Sequence, residues 1–407
     1  MKETIEGQLK RIAARSVDLV SMEELREKVA GAASEGRPLR IKYGADPSAP
    51  DIHLGHVVAL NKLREFQDLG HTVVFIIGDF TAMIGDPSGR SKTRPQLSRE
   101  QVLENAASYQ DQVFKVLDRE RTEMRFNSEW FSPMQFEDVI RLSAHVTVAQ
   151  MLQRDDFAKR YGGNQAISLV EFLYPLVQAY DSVKVEADLE LGGTDQLFNL
   201  LLGRELQKVH GQTPQVVLTL PLLEGLDGVQ KMSKSLNNYV GVTDAPGDMF
   251  GKVMSVSDEL MWRYFSLVLC LDEAEMAELK QRHPREAKDV LARRVVERFH
   301  DAASAEAASA EFGRVFSERR NPTDIPEIVI GTDEAPEGRV GLLKLLTLAR
   351  LAASNGEARR LVQQGGVRID DEKVADPRAV VVVKDGMILR AGKRGFARIT
   401  CASRERE

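Results

Sequence analysis

From residue 39 onward, short apolar runs alternate with amphipathic stretches. Residues 39–43 read as a strand, 54–69 as a helix, and 73–77 as a buried strand. The helix rests on Val57, Leu60, Leu63, Phe66 and Leu69, which keep one stripe apolar for about four turns. Gly70 stands where such a helix stops. Strand, helix, strand in this order implies a parallel sheet with right-handed crossovers. An α/β nucleotide-binding domain is therefore expected.

After Tyr239 the pattern changes to long, charged, helix-forming segments at 284–298 and, rich in alanine, at 300–316. Residues 318–338 carry Pro322, Pro326 and Pro336 among acidic side chains and read as a linker. Beyond it come an apolar helix at 342–352, a second helix, and strand-like pieces at 367–369 and 380–383. The expected division is 1–240, an α/β catalytic domain; 241–320, an α-helical domain; 321–338, a linker; and 339–407, a small α+β domain. No internal repeat is present.

Composition adds limits. A chain of 407 residues exceeds one ordinary core. Its charged and apolar content is that of a soluble globular protein. No apolar run approaches the ~20 residues of a membrane helix, and the charged start lacks a signal-peptide core. Two cysteines, Cys270 and Cys401, cannot make a disulfide framework. A cytoplasmic enzyme is expected. The net charge is −6, yet residues 339–407 hold fifteen Lys/Arg against eight Asp/Glu. A basic module on an acidic body suits a protein of which only part meets phosphates, although a solvated basic surface has the same composition.

Candidate chemistry begins at His53-Leu54-Gly55-His56, where the first strand turns into the first helix. Such a turn offers unpaired backbone N–H groups and the positive end of a helix dipole. Gly55 admits a close ligand, and two imidazoles one turn apart can donate to a phosphoryl group in its transition state. Alone, a His-x-x-His is equally a capping pair or a metal pair. No carboxylate or third histidine stands at helical spacing, which counts against zinc, and no protein-held metal is expected. The second motif is Lys231-Met232-Ser233-Lys234-Ser235, after Gly225, Asp227 and Gly228. Two lysines around a small hydroxyl residue make a phosphate clamp, able to close on departing pyrophosphate. Together the two motifs resemble the HIGH and KMSKS signatures of class I aminoacyl-tRNA synthetases, with Leu54 in place of isoleucine.

Tyr174, Gln178 and Asp181 lie at i, i+4 and i+7 in an apolar stretch, so a helix puts them on one face. A phenol, an amide and a carboxylate in an apolar wall can hold a substrate that is part ring, part ammonium and part hydroxyl. An exposed polar stripe would look the same. In context the segment is similar to the tyrosine-binding helix of tyrosyl-tRNA synthetases. That resemblance implies a Rossmann-like catalytic domain in which Tyr174, Gln178 and Asp86 hold the α-ammonium of L-tyrosine and Asp181 accepts from its phenol. Thr81 and Asn127 would line the same pocket. Gly44, Asp46, Gly193, Asp195 and Gln196 would meet ATP or the adenylate, with His53, Gly55, His56, Lys231, Met232, Ser233 and Lys234. His53, His56, Lys231 and Lys234 would be catalytic. Asp86 belongs to the run Gly85-Asp86-Pro87-Ser88-Gly89.

One position departs from the family pattern. Many members carry a tyrosine two residues before the glycine of the first strand, as a second partner for the substrate hydroxyl. Here it is Lys42, placed among the tyrosine contacts, and neighbouring Tyr43 is turned to the opposite face.

At the C-terminus, Ser354-Asn355-Gly356-Glu357 opens a helix as a capping box. Arg359 and Arg360 follow, then a turn and Arg368. This is similar to the RNA-binding module named after ribosomal protein S-four, common at the end of bacterial tyrosyl enzymes. Arg359, Arg360 and Arg368 would meet RNA phosphates. The resemblance further implies tRNA(Tyr) as partner, Mg2+ with ATP, a homodimer through about 139–152, and anticodon recognition by 241–320. Competing readings are a tryptophanyl enzyme, a catalytically silent RNA-binding paralogue, and a nucleotidyltransferase without tRNA.

Overall fold

The computed structural model describes residues 3–47, 51–87, 98–316, 325–392 and 395–401. The chain divides into two compact units, Met1–Ser309 and Ala310–Glu407.

The first unit is built on a six-stranded sheet. Its strands are β1 (Leu19–Val20), β2 (Arg40–Ala45), β3 (Thr72–Ile77), β4 (Thr122–Phe126), β5 (Leu189–Gly193) and β6 (Val216–Leu220), in the order β1-β6-β5-β2-β3-β4. All neighbours are parallel except the edge strand β1, which runs antiparallel to β6. The five-residue run Val73–Ile77 in β3 is buried throughout, as a strand covered on both faces must be. The helix Leu54–Asp68 joins β2 to β3 and buries Val57, Leu60, Leu63 and Phe66. Leu69, at its C-cap, is only partly covered, and Gly70 follows with φ +95°. The opposite wall includes Leu169–Lys184, whose packing against Leu197–Val209 covers Leu176, Ala179, Val183 and Leu206. The carboxyl ends of β2, β3 and β5 open between these layers, where a parallel sheet places its ligand site.

The helical segment expected as a separate domain from 241 instead belongs to the first unit as far as Ser309. Helices Pro246–Met254, Leu260–Leu267 and Pro284–Phe299 pack together. Polar side chains tie them to the sheet layer. Asn61, buried inside Leu54–Asp68, donates to the carbonyls of Leu267 and Val268 at 2.9 and 2.8 Å. Arg298 donates to Asn61 Oδ1 and to the Val268 carbonyl. Apolar periodicity alone does not report such ties.

The second unit holds β7 (Glu327–Ile330), β8 (Arg339–Gly341), β9 (Val367–Ile369), β10 (Glu372–Lys373), β11 (Val380–Val382), β12 (Ile388–Ala391) and β13 (Gly395–Cys401). Five of them form a sheet ordered β10-β9-β12-β13-β7, and β8 pairs with β11. The stretch expected as a linker thus contributes a strand. β7 runs parallel to β13, and Ile330 enters the core with Leu342, Leu345, Leu346 and Leu389. Alternating Ile328 and Ile330 outweigh the flanking prolines and acids. Residues 318–324 of that expected linker lie outside the described residues, as do Ser88 and Gly89. The apolar helix is shorter than expected, Leu342–Leu348. Ser354 caps Asn355–Gln363 as expected, accepting from the Glu357 N–H at 3.3 Å. Glu357 reaches one residue farther than a capping box, to the Ala353 N–H at 2.7 Å.

Candidate active site

The two signature motifs meet on one cavity of about 570 Å³ in the first unit. His53 is the N-cap of Leu54–Asp68. Leu54 N–H donates to the Val240 carbonyl at 3.0 Å and Val242 N–H to the Ile52 carbonyl at 3.0 Å. The chain leaving the lysine loop is therefore stitched to the histidine turn. A Cβ on Gly55 would stand 3.0 Å from the His53 ring and 3.4 Å from Met232 Cβ. Gly55 thus serves the approach of the loop.

The two imidazoles lie 3.9 Å apart between centroids. Burial lowers His53 to about 2 and His56 to about 4, with the nearby Lys234 charge adding to both. Both are neutral at physiological pH. His56 Nδ1 accepts from the His53 backbone N–H at 3.2 Å, so the proton of the neutral ring sits on Nε2, free to donate. Neutral N–H donors can stabilise a growing phosphoryl charge without exchanging protons.

The lysine loop is organised by a residue the motif does not include. Asn238 Oδ1 accepts from the Ser233 N–H at 2.8 Å, and Asn238 Nδ2 donates to Asp227 Oδ2 at 2.7 Å. A Cβ on Gly225 would fall 2.3 Å from the Asn238 side chain. Met232 is buried, its N–H donating to the Leu223 carbonyl at 2.8 Å. Lys231 pairs with Asp195 Oδ2 at 2.8 Å, and Lys234 pairs with Asp51. Both ammonium groups therefore stand at the cavity, each paired with a carboxylate.

At the other end, Tyr174, Gln178 and Asp181 all line the cavity, as one helical face should. Tyr174 donates its hydroxyl to Asp46 Oδ2 at 2.9 Å, and Thr81 donates to Asp46 Oδ1 at 2.7 Å. Asp46, expected on the nucleotide side, is thus held by two residues expected on the amino-acid side. Gly78 makes room for this, since a Cβ there would lie 2.1 Å from Asp46 Oδ1. Gln178 Oε1 and Gln196 Oε1 both accept from Asn199 Nδ2, at 2.8 and 2.9 Å. Gln196 Nε2 donates to Asp86 Oδ2 at 3.1 Å, and the buried Arg154 lies 3.4 Å from Asp86 Oδ1. Gly44 and Gly193 complete the wall.

Asp181 is enclosed. Trp130 Nε1 donates to one oxygen at 2.9 Å and Asn127 Nδ2 to the other at 3.4 Å. Burial raises the carboxyl to about 7, against the lowering influence of Lys42 and these donors. Asn127 supports the wall from behind, donating also to Thr81 Oγ1 at 3.1 Å. Lys42 requires a correction. It does not line the cavity: its ammonium is sealed among the Gln178 carbonyl, Ser182 and Glu190. Alternation along β2 puts Lys42 and Tyr43 on opposite faces of the sheet: Lys42 shares its face with Glu190, its partner in register on β5, and Tyr43 lines the cavity against Phe75.

Residues 34–317 match the tRNA synthetases class I (W and Y), and residues 322–399 match the tyrosine–tRNA ligase SYY-like C-terminal domain. The tyrosine–tRNA ligase of Oleidesulfovibrio alaskensis is 54% identical over 403 residues, covering 97% of this chain and 99% of its own. That of Nitrosomonas europaea is 53% identical over 411 residues, covering 100% and 98%. The chain belongs to the tyrosine–tRNA ligase family of class I. The solved tyrosyl-tRNA synthetase of Archaeoglobus fulgidus, complexed with L-tyrosine, shares the fold at a TM-score of 0.63 and 24% identity, covering 74% of this chain and 99% of that one.

Several groups of this class I synthetase escape motif reading: Trp130, Arg154, Glu190, Asn199 and Asn238. Only Glu190 carries a local signal, a lone carboxylate in the apolar strand Leu189–Gly193 that answers a lone lysine in β2. Arg359, Arg360 and Arg368 are exposed in the second unit; Arg368 donates to the Asp371 carbonyl at 2.9 Å.

Proposed function

We propose that this chain activates L-tyrosine with ATP and transfers it to tRNA(Tyr), using the 570 Å³ cavity for both steps. The supporting observation is the convergence of the Tyr174–Gln178–Asp181 face, the histidine turn and the lysine loop on that one cavity. Its volume suits a small-molecule ligand. The phenol reaches Asp181, and the ammonium meets Tyr174, Gln178 and Asp86. The carboxylate then points toward the histidine turn, where it attacks the α-phosphorus of ATP in line. Pyrophosphate leaves, and the 3′-terminal ribose hydroxyl of the tRNA next attacks the activated carbonyl, releasing AMP. No protein nucleophile is needed. His53 and His56 donate as neutral groups, Lys231 and Lys234 trade Asp195 and Asp51 for phosphate oxygens, and positioning does the rest.

Mg2+ enters on this reading with the phosphates of ATP. Among the described residues no group of three or more His, Cys, Asp or Glu is placed to hold a metal ion. Arg359, Arg360 and Arg368 hold tRNA phosphates, and helices of 241–309 serve the anticodon side. A homodimer forms through about 139–152, where Ile140 and Val148 are 54% and 64% exposed. No helix among the described residues is long and apolar enough to cross a membrane.

The class match spans tryptophan and tyrosine enzymes, so substrate choice is the point to test. ATP–pyrophosphate exchange with tyrosine, tryptophan and phenylalanine in parallel is expected to proceed with tyrosine alone, followed by charging of tRNA(Tyr). Exchange with tryptophan would overturn the role given to the Tyr174–Asp181 face.

A further inference from the structure

Lys42 and Glu190 are a buried ion pair in the middle of a parallel sheet, with 0% and 1% exposure. Taking both charges out of water is costly and is offset only when every remaining hydrogen-bonding group is met. Here the charged atoms of both residues are met. Lys42 Nζ lies 2.7 Å from Glu190 Oε1, and donates to the Gln178 carbonyl at 2.8 Å and to Ser182 Oγ at 2.7 Å. Ser182 Oγ donates onward to Glu190 Oε2 at 3.0 Å, where Gln215 Nε2 also donates. Gly203 leaves space for the cluster, since a Cβ there would lie 2.6 Å from Gln215 Nε2 and 3.2 Å from Glu190 Oε2.

Two of the three partners of the ammonium are on the helix Leu169–Lys184, at Gln178 and Ser182. These bracket the segment that presents Gln178 and Asp181 to the cavity. An ammonium with three directed contacts is a fixed strut between β2, β5 and this face. It stands immediately behind the cavity wall, and its charge favours an ionised Asp181.

We propose that Lys42 is a positioning residue for tyrosine: through Glu190, Ser182 and the Gln178 carbonyl it sets the placement of Gln178 and Asp181 against the amino acid. It touches no substrate atom. A small misplacement of such contacts, from a group remote from the chemistry, costs affinity and rate in the step that uses them. The inference rests on the tyrosine reading of the cavity, which exchange by the unaltered enzyme decides separately.

The test compares Lys42→Met with Lys42→Met/Glu190→Gln in tyrosine-dependent ATP–pyrophosphate exchange by the full chain. The single variant strands the Glu190 carboxylate and is expected to unfold more easily. The double variant removes both charges, keeps similar volumes and is expected to fold, so its kinetics decide the question. Its KM for tyrosine should rise about tenfold while its KM for ATP stays within about twofold, and its preference for tyrosine over phenylalanine should fall. A wild-type tyrosine KM in the double variant overturns the proposal. So does an equal rise in both KM values, or a loss confined to kcat, because neither is a loss of tyrosine placement.

Discussion

Trp130 and Asp181, fifty-one residues apart, are joined by an indole N–H donating to Oδ1 at 2.9 Å. With Asn127 on the other oxygen, the carboxylate is held by two donors at the cavity wall. A substrate hydroxyl is the complement of that arrangement. Asp181→Ala should therefore lower the preference for tyrosine over phenylalanine by about 10- to 100-fold, the value of a hydrogen bond to a buried charge. Parallel kcat/KM measurements for the two amino acids check this. Unchanged discrimination would remove Asp181 from the hydroxyl site.

The same carboxyl, raised to about 7 by burial, accepts best when ionised. As pH falls through about 7 it gains a proton, and kcat/KM for tyrosine should fall with a one-proton slope. His53, lowered to about 2, and His56, lowered to about 4, stay neutral across that window and contribute no limb. Phenylalanine, lacking the hydroxyl, should not show the same limb. Exchange rates at subsaturating amino acid between about pH 5.5 and 8.5 would reveal the difference.

His56→Ala should slow adenylate formation by about 10²–10³ while tyrosine binding holds, since a single preorganised donor to the transition state is lost. Lys234→Ala should behave alike, its ammonium being the partner Asp51 gives up to phosphate. Single-turnover formation of tyrosyl-adenylate measures both. Undiminished rates would withdraw the donor and clamp roles.

Gly78→Ala places a methyl 2.1 Å from Asp46 Oδ1 and 2.3 Å from Thr81 Oγ1. Asp46 must then move and release Tyr174, so the KM for tyrosine should rise about tenfold or more. Gly247→Ala, with nothing within 4 Å of the added carbon, serves as the control and should leave KM unchanged.

Arg359→Ala/Arg360→Ala, on exposed positions of the second unit, should weaken tRNA charging and flatten its salt dependence by up to about two counterions. Tyrosine-dependent exchange should be untouched, because the described residues that line the cavity all belong to the first unit. A fall in exchange would show that the substitution damages more than RNA contact.

Local pattern carried a good part of this protein. The stripe Val57, Leu60, Leu63 and Phe66 foretold Leu54–Asp68, and the apolar run of β3 foretold a strand covered on both faces. The spacing of Tyr174, Gln178 and Asp181 foretold one face, because helical periodicity is a property of consecutive residues. The motif lysines and histidines could be named because their short runs resemble the two class signatures. What tertiary structure decided was every pairing across sequence. Asn238 organises the lysine loop, Trp130 closes around Asp181, and Ile328 and Ile330 draw a proline-flanked stretch into a sheet. Lys42 was expected as a substrate contact from the family resemblance alone. Its side chain went instead to Glu190, which β-sheet register placed opposite it. A buried ammonium goes where its charge is answered, and the residue that answers it stands 148 positions further along the chain.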